Sequence, residues 1–294
     1  MTLAAGSALL DDRGIIAATG PDVARLLDGL ITNDMDLLQR RPAIHAGLLS
    51  PQGKVLFAFF VVKQAGGFLL DVARDRAAEL AKRLTFYKLR ADALFTDMSS
   101  TMTVAAVWGE SPSTVPRGIL TYGDPRHAQL GTRLILPIAR IAELGQLTAS
   151  PDAYHAHRIA CGVPDEQRDY ILGDAFPHEA NFDLCHGVSF TKGCYVGQEV
   201  VSRMQNKTVV RKRIVGISGD ALATGAAILH GDGVIGTVGS VTGRSALAVL
   251  RLDRAVEAAD KGQALTVGGH AIMVEPSALD RYRASMAAKP VVDL

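Results

Sequence analysis

Apolar residues recur along the chain in two periods, and the period changes with position. Val23, Leu26, Leu27 and Leu30 lie on one face of a 3.6-residue helix, with Thr19 or Gly20 as its cap and Pro21 in its first turn. Ala77, Leu80, Ala81 and Leu84 repeat the same face at i, i+3, i+4 and i+7. Between them "KVLFAFFVV" and "GFLLDVA" are runs of strand-forming residues joined by "KQAGG", which predicts a hairpin. "TMTVAAVW" and "RLILPI" predict two more strands. "SPDAYHAHRIACGVP" predicts a helix capped by Ser150, opened by Pro151 and closed by Gly162 and Pro164.

Strands and helices alternate irregularly up to residue 205, which indicates an α+β fold and not a doubly wound parallel sheet. After "MQNKT" the texture becomes short β runs with glycine turns, "RIVGISG" to "ALTVGGHAIMVEP". The expected organisation is an α+β region over 1–205, read as two interleaved lobes, a small β-barrel over 206–280 and a tail over 281–294.

Composition narrows the function classes. The chain of 294 residues carries 31 basic and 30 acidic residues, a net charge of +1. That balance gives no general attraction to nucleic acid or to a membrane, so any anion site is local. No apolar run reaches the roughly 20 residues of a membrane helix. The first residues, "MTLAAGSALLDDRG", lack the basic start of a leader, and three cysteines do not make a disulfide framework. The reading is a reducing cytoplasm with free thiols.

Candidate chemistry gathers in two stretches. In "FTKGCYVGQEVVSRM", Cys194 follows Lys192 and Gly193 and lies at or just before a helix carrying Glu199 and Arg203. Helix amides and a nearby ammonium favour a thiolate there, against the plain alternative of a packed thiol, which is the reading for Cys161 and Cys185. In "FPHEANFD", Glu179 and Asn181 lie in a polar loop. A carboxylate at Glu179 could accept two parallel N–H donors from a planar heterocycle such as a pterin, or could simply face solvent. Arg211 and Arg213 could meet an anionic tail, or could protect an exposed strand edge by their charge. No metal-ligand set is found: His155 and His157 are two apart on a helix and point to different sides.

Together these stretches resemble a known family. "TKGCYVGQE" resembles the K-G-C-[FY]-x-G-Q-E signature of the folate-binding YgfZ-type proteins, bacterial relatives of a mitochondrial iron–sulfur assembly factor, within the aminomethyltransferase superfamily. "LLDGLITND", "AGLLSPQGKVLFAFFV", "RIACGVP" and "FPHEANFDLCHGVSF" resemble further elements of that family across nearly the whole chain. The resemblance implies a three-lobed cloverleaf, two α+β lobes and a C-terminal β-barrel around a central channel that holds tetrahydrofolate or a one-carbon derivative. Glu179 is then the carboxylate on the pterin, with Asn181 beside it, and Arg211 or Arg213 helps hold the folate. The signature loop, Lys192, Gly193, Cys194, Tyr195, Gly197, Gln198 and Glu199, presents Cys194 as a functional thiol. Its two glycines admit a close partner, and Gln198 and Glu199 brace the backbone.

The implied function is an accessory role in assembly or repair of [4Fe–4S] enzymes, with folate and iron–sulfur assembly proteins or client enzymes as partners. The alternative is a folate-dependent aminomethyl or one-carbon transferase. In the transferases an acidic pair follows the G-x-x-x of the second strand and supplies a catalytic aspartate; here "GKVLFAFF" puts Phe57 and Ala58 there, and neither can do a carboxylate's acid–base work. The transferase alternative would need an acid from elsewhere, such as Asp34 or Asp71. A flavin-partnered demethylase lobe is a third reading; with no dinucleotide fingerprint, any flavin would belong to another subunit.

Overall fold

The computed structural model describes residues 5–109, 115–166 and 168–288. The expected tail over 281–294 therefore falls partly outside the described residues. The chain divides into two compact units. One is Met1–Pro51, Val55–His157 and Asp183–Val196; the other is Gln52–Lys54, Arg158–Phe182 and Gly197–Leu294.

In chain order the first unit holds β1 (Gly6–Leu10), β2 (Arg13–Thr19), α1 (Val23–Leu30), β3 (Ala43–Leu49), β4 (Val55–Gln64), β5 (Gly67–Ala73), α2 (Ala77–Tyr87), β6 (Leu94–Asp97), β7 (Met102–Trp108), β8 (Leu120–Gly123), β9 (Thr132–Pro137) and α3 (Pro151–Ala160), whose last three residues belong with the second unit. One antiparallel sheet runs β3-β4-β5-β2-β6 and a second runs β1-β7-β9-β8. The hairpin expected at "KQAGG" joins β4 to β5 through a two-residue turn, with Gln64 opposite Gly67. The cap of α1 is Asp22, later than Thr19, because Thr19 still pairs within its sheet.

Strand β4 explains its own unbroken apolar run. Phe57, Phe59 and Val61 pack with Leu27, Leu30, Leu80 and Leu84 of α1 and α2. Phe60 and Val62, on the opposite face, pack with Leu10, Val104, Trp108 and Ile135 of the second sheet and Tyr154 of α3. A strand covered on both faces has no position left for a polar residue to face water.

A charged network is buried beside Phe60. Arg13 donates to Asp71 Oδ1 at 2.7 Å, Arg133 to Asp71 Oδ2 at 2.8 Å, and the Tyr122 hydroxyl to the same oxygen at 2.6 Å. Arg133 also donates to Asp124 Oδ2 at 3.0 Å, where Arg126 makes a two-pronged contact at 3.0 and 2.8 Å. The guanidiniums of Arg13, Arg126 and Arg133 lie 5.7, 4.9 and 4.5 Å from the Phe60 ring centroid. Burial pushes the Asp71 carboxyl up, but Arg13 and Arg133 outweigh it and hold Asp71 below the usual range. Each carboxylate is thus paid for by more than one guanidinium, the condition under which buried charge persists.

The second unit holds α4 (Gln198–Lys207), β10 (Lys212–Gly219), β11 (Ala227–His230), β12 (Gly233–Thr242), β13 (Ser245–Arg251), α5 (Leu252–Asp260), β14 (Leu265–Val267), β15 (His270–Val274) and α6 (Pro276–Ala288). The strands close a barrel in the order β10-β13-β12-β11-β14-β15. Helix α5 was not expected in an all-β texture. It buries Leu252, Ala255, Val256 and Ala258 in the barrel core. Arg158, from "RIACGVP", pins the barrel's irregular strand: it donates to Asp169 Oδ2 at 2.6 Å and to the Ser240 hydroxyl. Asp169 Oδ1 accepts the Ser240 N–H at 2.7 Å, where the β12 register shifts. Gly239 is required there, since a Cβ would stand 2.6 Å from Asp169 Oδ1.

His45, buried near Arg126, makes the stability of the first unit depend on pH between neutral and mildly acid conditions. Burial, then the Arg126 charge, pushes its pKa down from 6.5 to about 3. The folded value lies below the unfolded one, so the unfolded chain takes the extra proton between those values. Stability therefore rises with pH through that window and is lost on acidification. We expect unfolding free energy to fall by roughly 2 kcal/mol between about pH 7 and pH 5, and His45→Gln to remove most of that slope in denaturant melts.

Candidate functional site

The signature loop belongs to the first unit up to Val196 and is held there by the "LITND" element. Thr32 O accepts the Ser189 N–H at 2.9 Å, and the Thr32 hydroxyl donates to Gly187 O. Asn33 Nδ2 donates to His186 O at 2.8 Å and to His45 O at 2.7 Å. Two stretches about 150 residues apart in sequence thus form one structure.

Lys192 closes this arrangement. Its Nζ donates to Asp28 O, to Asn33 O at 2.9 Å and to Ile31 O at 3.2 Å, and pairs with the Asp28 carboxylate at 3.0 Å. These carbonyls lie at the C-terminal end of α1 and just beyond it, where unpaired backbone oxygens favour a cation. Burial lowers the Lys192 pKa and Asp28 offsets part of that. The ammonium is therefore spent on α1, which corrects the expectation that it serves the Cys194 thiol.

Cys194 is exposed, Cys161 is half-buried and Cys185 is buried. Burial pushes the Cys185 thiol up to about 12, so it stays protonated and inert. Cys194 is not at a helix start: α4 begins at Gln198 after Gly197, whose φ of 82° suits glycine. A Cβ on Gly193 would meet nothing within 4 Å, so Gly193 makes no close approach within the chain. Tyr195 is buried under Lys192, 5.4 Å from its ring centroid, and burial pushes its hydroxyl up to about 12. Among the described residues neither Gln198 nor Glu199 makes a side-chain hydrogen bond, and Glu199 forms no ion pair with Arg203. The expected bracing is absent. Glu199 stands in the first turn of α4, where its charge suits the helix end.

In the second unit four sequence elements meet. Lys54 lies 3.5 Å from the Phe176 ring centroid and donates to Asp174 O. Gly53 lies against Val200 of α4, where a Cβ would come within 2.8 Å. Glu179 Oε2 accepts the Phe176 N–H at 3.0 Å, and Glu179 O accepts the Ile214 N–H at 3.2 Å. His178 meets Gln205 Oε1 of α4 at 3.0 Å.

Asn181 and Arg213 are turned to this junction. Asn181 Nδ2 donates to Ile214 O at 2.8 Å, and Arg213 donates to His178 O at 2.8 Å. The two arginines part: Arg213 is half-buried against the loop, while Arg211 precedes β10 and is exposed. Phe57 and Ala58 are buried in β4, and Asp71 is locked in its network. Asp34 caps the turn that follows, accepting the Asp36 N–H at 2.9 Å. Buried and exposed charges read alike in sequence, so the structural roles of Lys192, Asn181 and Arg213 carried no separate signal.

Removing the Lys192 charge should unseat the loop. Lys192→Met is expected to lower stability by roughly 1.5–3 kcal/mol in thermal or denaturant melts, leaving three carbonyls without their donor. An unchanged melt would mean that the contacts to α1 are not made.

Comparison with known proteins follows the same lines. Residues 211–280 match the CAF17 C-terminal β-barrel domain. The chain is 34% identical over 224 residues to an iron–sulfur cluster assembly factor IBA57 homolog, mitochondrial, from Mycosarcoma maydis, covering 70% of this chain and 55% of that protein. It is 33% identical over 264 residues to the mitochondrial IBA57 of Mus musculus, covering 81% and 72%. The chain thus spans about half the length of several curated relatives it matches, 53% for that of Neurospora crassa. The glycine cleavage system aminomethyltransferase T from Bartonella henselae superposes with a TM-score of 0.73 at 16% identity, over 92% of this chain and 84% of that one, and shows the shared fold. The expectation of a cytoplasmic protein is overturned by these relatives, which are named mitochondrial. With this identity and coverage, the chain belongs to the family of the iron–sulfur cluster assembly factor IBA57.

Proposed function

We propose that the chain serves iron–sulfur cluster assembly as a folate-binding factor that presents a single working thiol, Cys194. The observation that carries the reading is the exposed Cys194 on a loop seated by Lys192, while Cys185 is buried. A relative's role as assembly factor and the YgfZ-type signature support it. An exposed thiol on a fixed loop can ligate a cluster shared with a partner protein. The other two cysteines, one half-buried and one buried, do not supply a four-cysteine site of this chain's own.

Tetrahydrofolate fits the donor set around Glu179. An ionised carboxylate has about four acceptor positions, and the Phe176 N–H takes one of them. The remainder suits the paired N–H donors of a pterin edge. Lys54 and Phe176 fix the loop from which Glu179 projects. Exposed Arg211 is the cation left for the anionic glutamyl tail, because Arg213 and Asn181 are engaged with backbone. The transferase alternative is the weaker reading, since by the resemblance Phe57 and Ala58, both buried, stand where the transferases carry their acidic pair.

Titrating the chain with tetrahydrofolate should give saturable binding that Glu179→Gln weakens about tenfold or more, the worth of a charged hydrogen bond. In cells lacking the gene, Cys194→Ser should fail to restore [4Fe–4S] enzyme activity while Cys185→Ala restores it. Equal folate affinity for Glu179→Gln would remove that residue from the site, and full rescue by Cys194→Ser would end the thiol reading.

A further inference from the structure

Three of the most exposed large apolar side chains fall within nine residues of one another, far in sequence from the signature loop and from the loop of Glu179. Phe86 is 75% exposed at the end of α2, Leu89 is 86% exposed in the turn that follows, and Leu94 is 60% exposed at the start of β6. Leu89 has a φ of 47°, a left-handed conformation that a branched side chain adopts at a cost. The turn thus spends strain and leaves a leucine in water.

The same run is basic. Residues 82–92 hold Lys82, Arg83, Lys88 and Arg90 against Asp92, four bases less one acid, or +3 in a chain of net +1. Lys82 and Arg90 are exposed, and the nearby Glu79 is already paired with Arg76 at 2.9 Å. The whole-chain balance excludes general attraction to anions, but not this local one.

Side chains that line a protein groove are screened by its walls, and at 75% and 86% exposure Phe86 and Leu89 have none. Projecting apolar groups in the same short run as exposed cations match a lipid interface instead. Its acyl boundary admits them without a preformed pocket, and its anionic headgroups meet the ammonium and guanidinium groups. We infer that the end of α2 and the turn to β6 form a docking surface for an anionic lipid bilayer, engaged reversibly through Phe86, Leu89, Lys82 and Arg90. The contact is peripheral, since no described helix is long and apolar enough to cross a membrane. It is independent of the folate and thiol readings.

The test is co-sedimentation of the full chain with phosphatidylcholine vesicles carrying about one-third phosphatidylglycerol, beside pure phosphatidylcholine. Binding to the anionic vesicles alone is expected, with loss at high salt. At about fivefold per charge, K82Q/R90Q should bind about 25-fold more weakly. F86S/L89S should also bind more weakly, with its melt confirming the fold. Should that variant not fold, Phe86→Trp reports in its place, and its emission should shift to the blue on anionic vesicles only. Absence of pelleting, equal pelleting of wild type and K82Q/R90Q, or unshifted Phe86→Trp emission would overturn the inference. So would binding to an acidic protein in place of the vesicles.

Discussion

The contact between the Lys192 ammonium and the carbonyl end of α1 holds the signature loop in place. A helix C-terminus leaves its last carbonyls without N–H partners. Here a buried cation supplies the donors, and Asp28 balances part of its charge. Lys192 is directed inward, and its neighbours Phe190, Thr191, Gly193 and Cys194 are exposed. The loop is thus seated by one buried ammonium and leaves its thiol at the surface.

The same logic governs the rest of the first unit. β4 is apolar on both faces, so the polar groups of the neighbouring strands have no water to turn to and pair with one another around Phe60. Asp71 and Asp124 are held ionised by guanidiniums that are themselves buried. An aspartate so placed is structural, with both its oxygens held by guanidiniums. In the second unit, Glu179 and Asn181 fix the first barrel strand through the Ile214 peptide group, while the Glu179 carboxylate keeps acceptor capacity. One loop therefore supports the barrel while one of its carboxylates keeps acceptor positions unused by the Phe176 N–H.

Much of the architecture is legible in the sequence where a single physical period acts. Ala77, Leu80, Ala81 and Leu84 are the buried face of α2, and Ser150 caps α3 by accepting the Ala153 N–H at 3.2 Å. The barrel follows from glycine-punctuated β runs. α5 does not, because it follows β13 without a break and half of its buried residues are alanines. The site is legible as residue types and opaque as roles: Lys192 and Arg213 are chosen by backbone carbonyls, which every sequence has and no sequence marks. Location lies beyond both, and relatives correct it.

Residue-resolved alkylation of the native chain, read by mass spectrometry, tests most directly whether the loop presents its sulfur. The account predicts modification of Cys194 at the rate of a free thiol, with Cys185 reacting only after unfolding. Protection of Cys194 in the folded chain, or equal rates for the two, would contradict it.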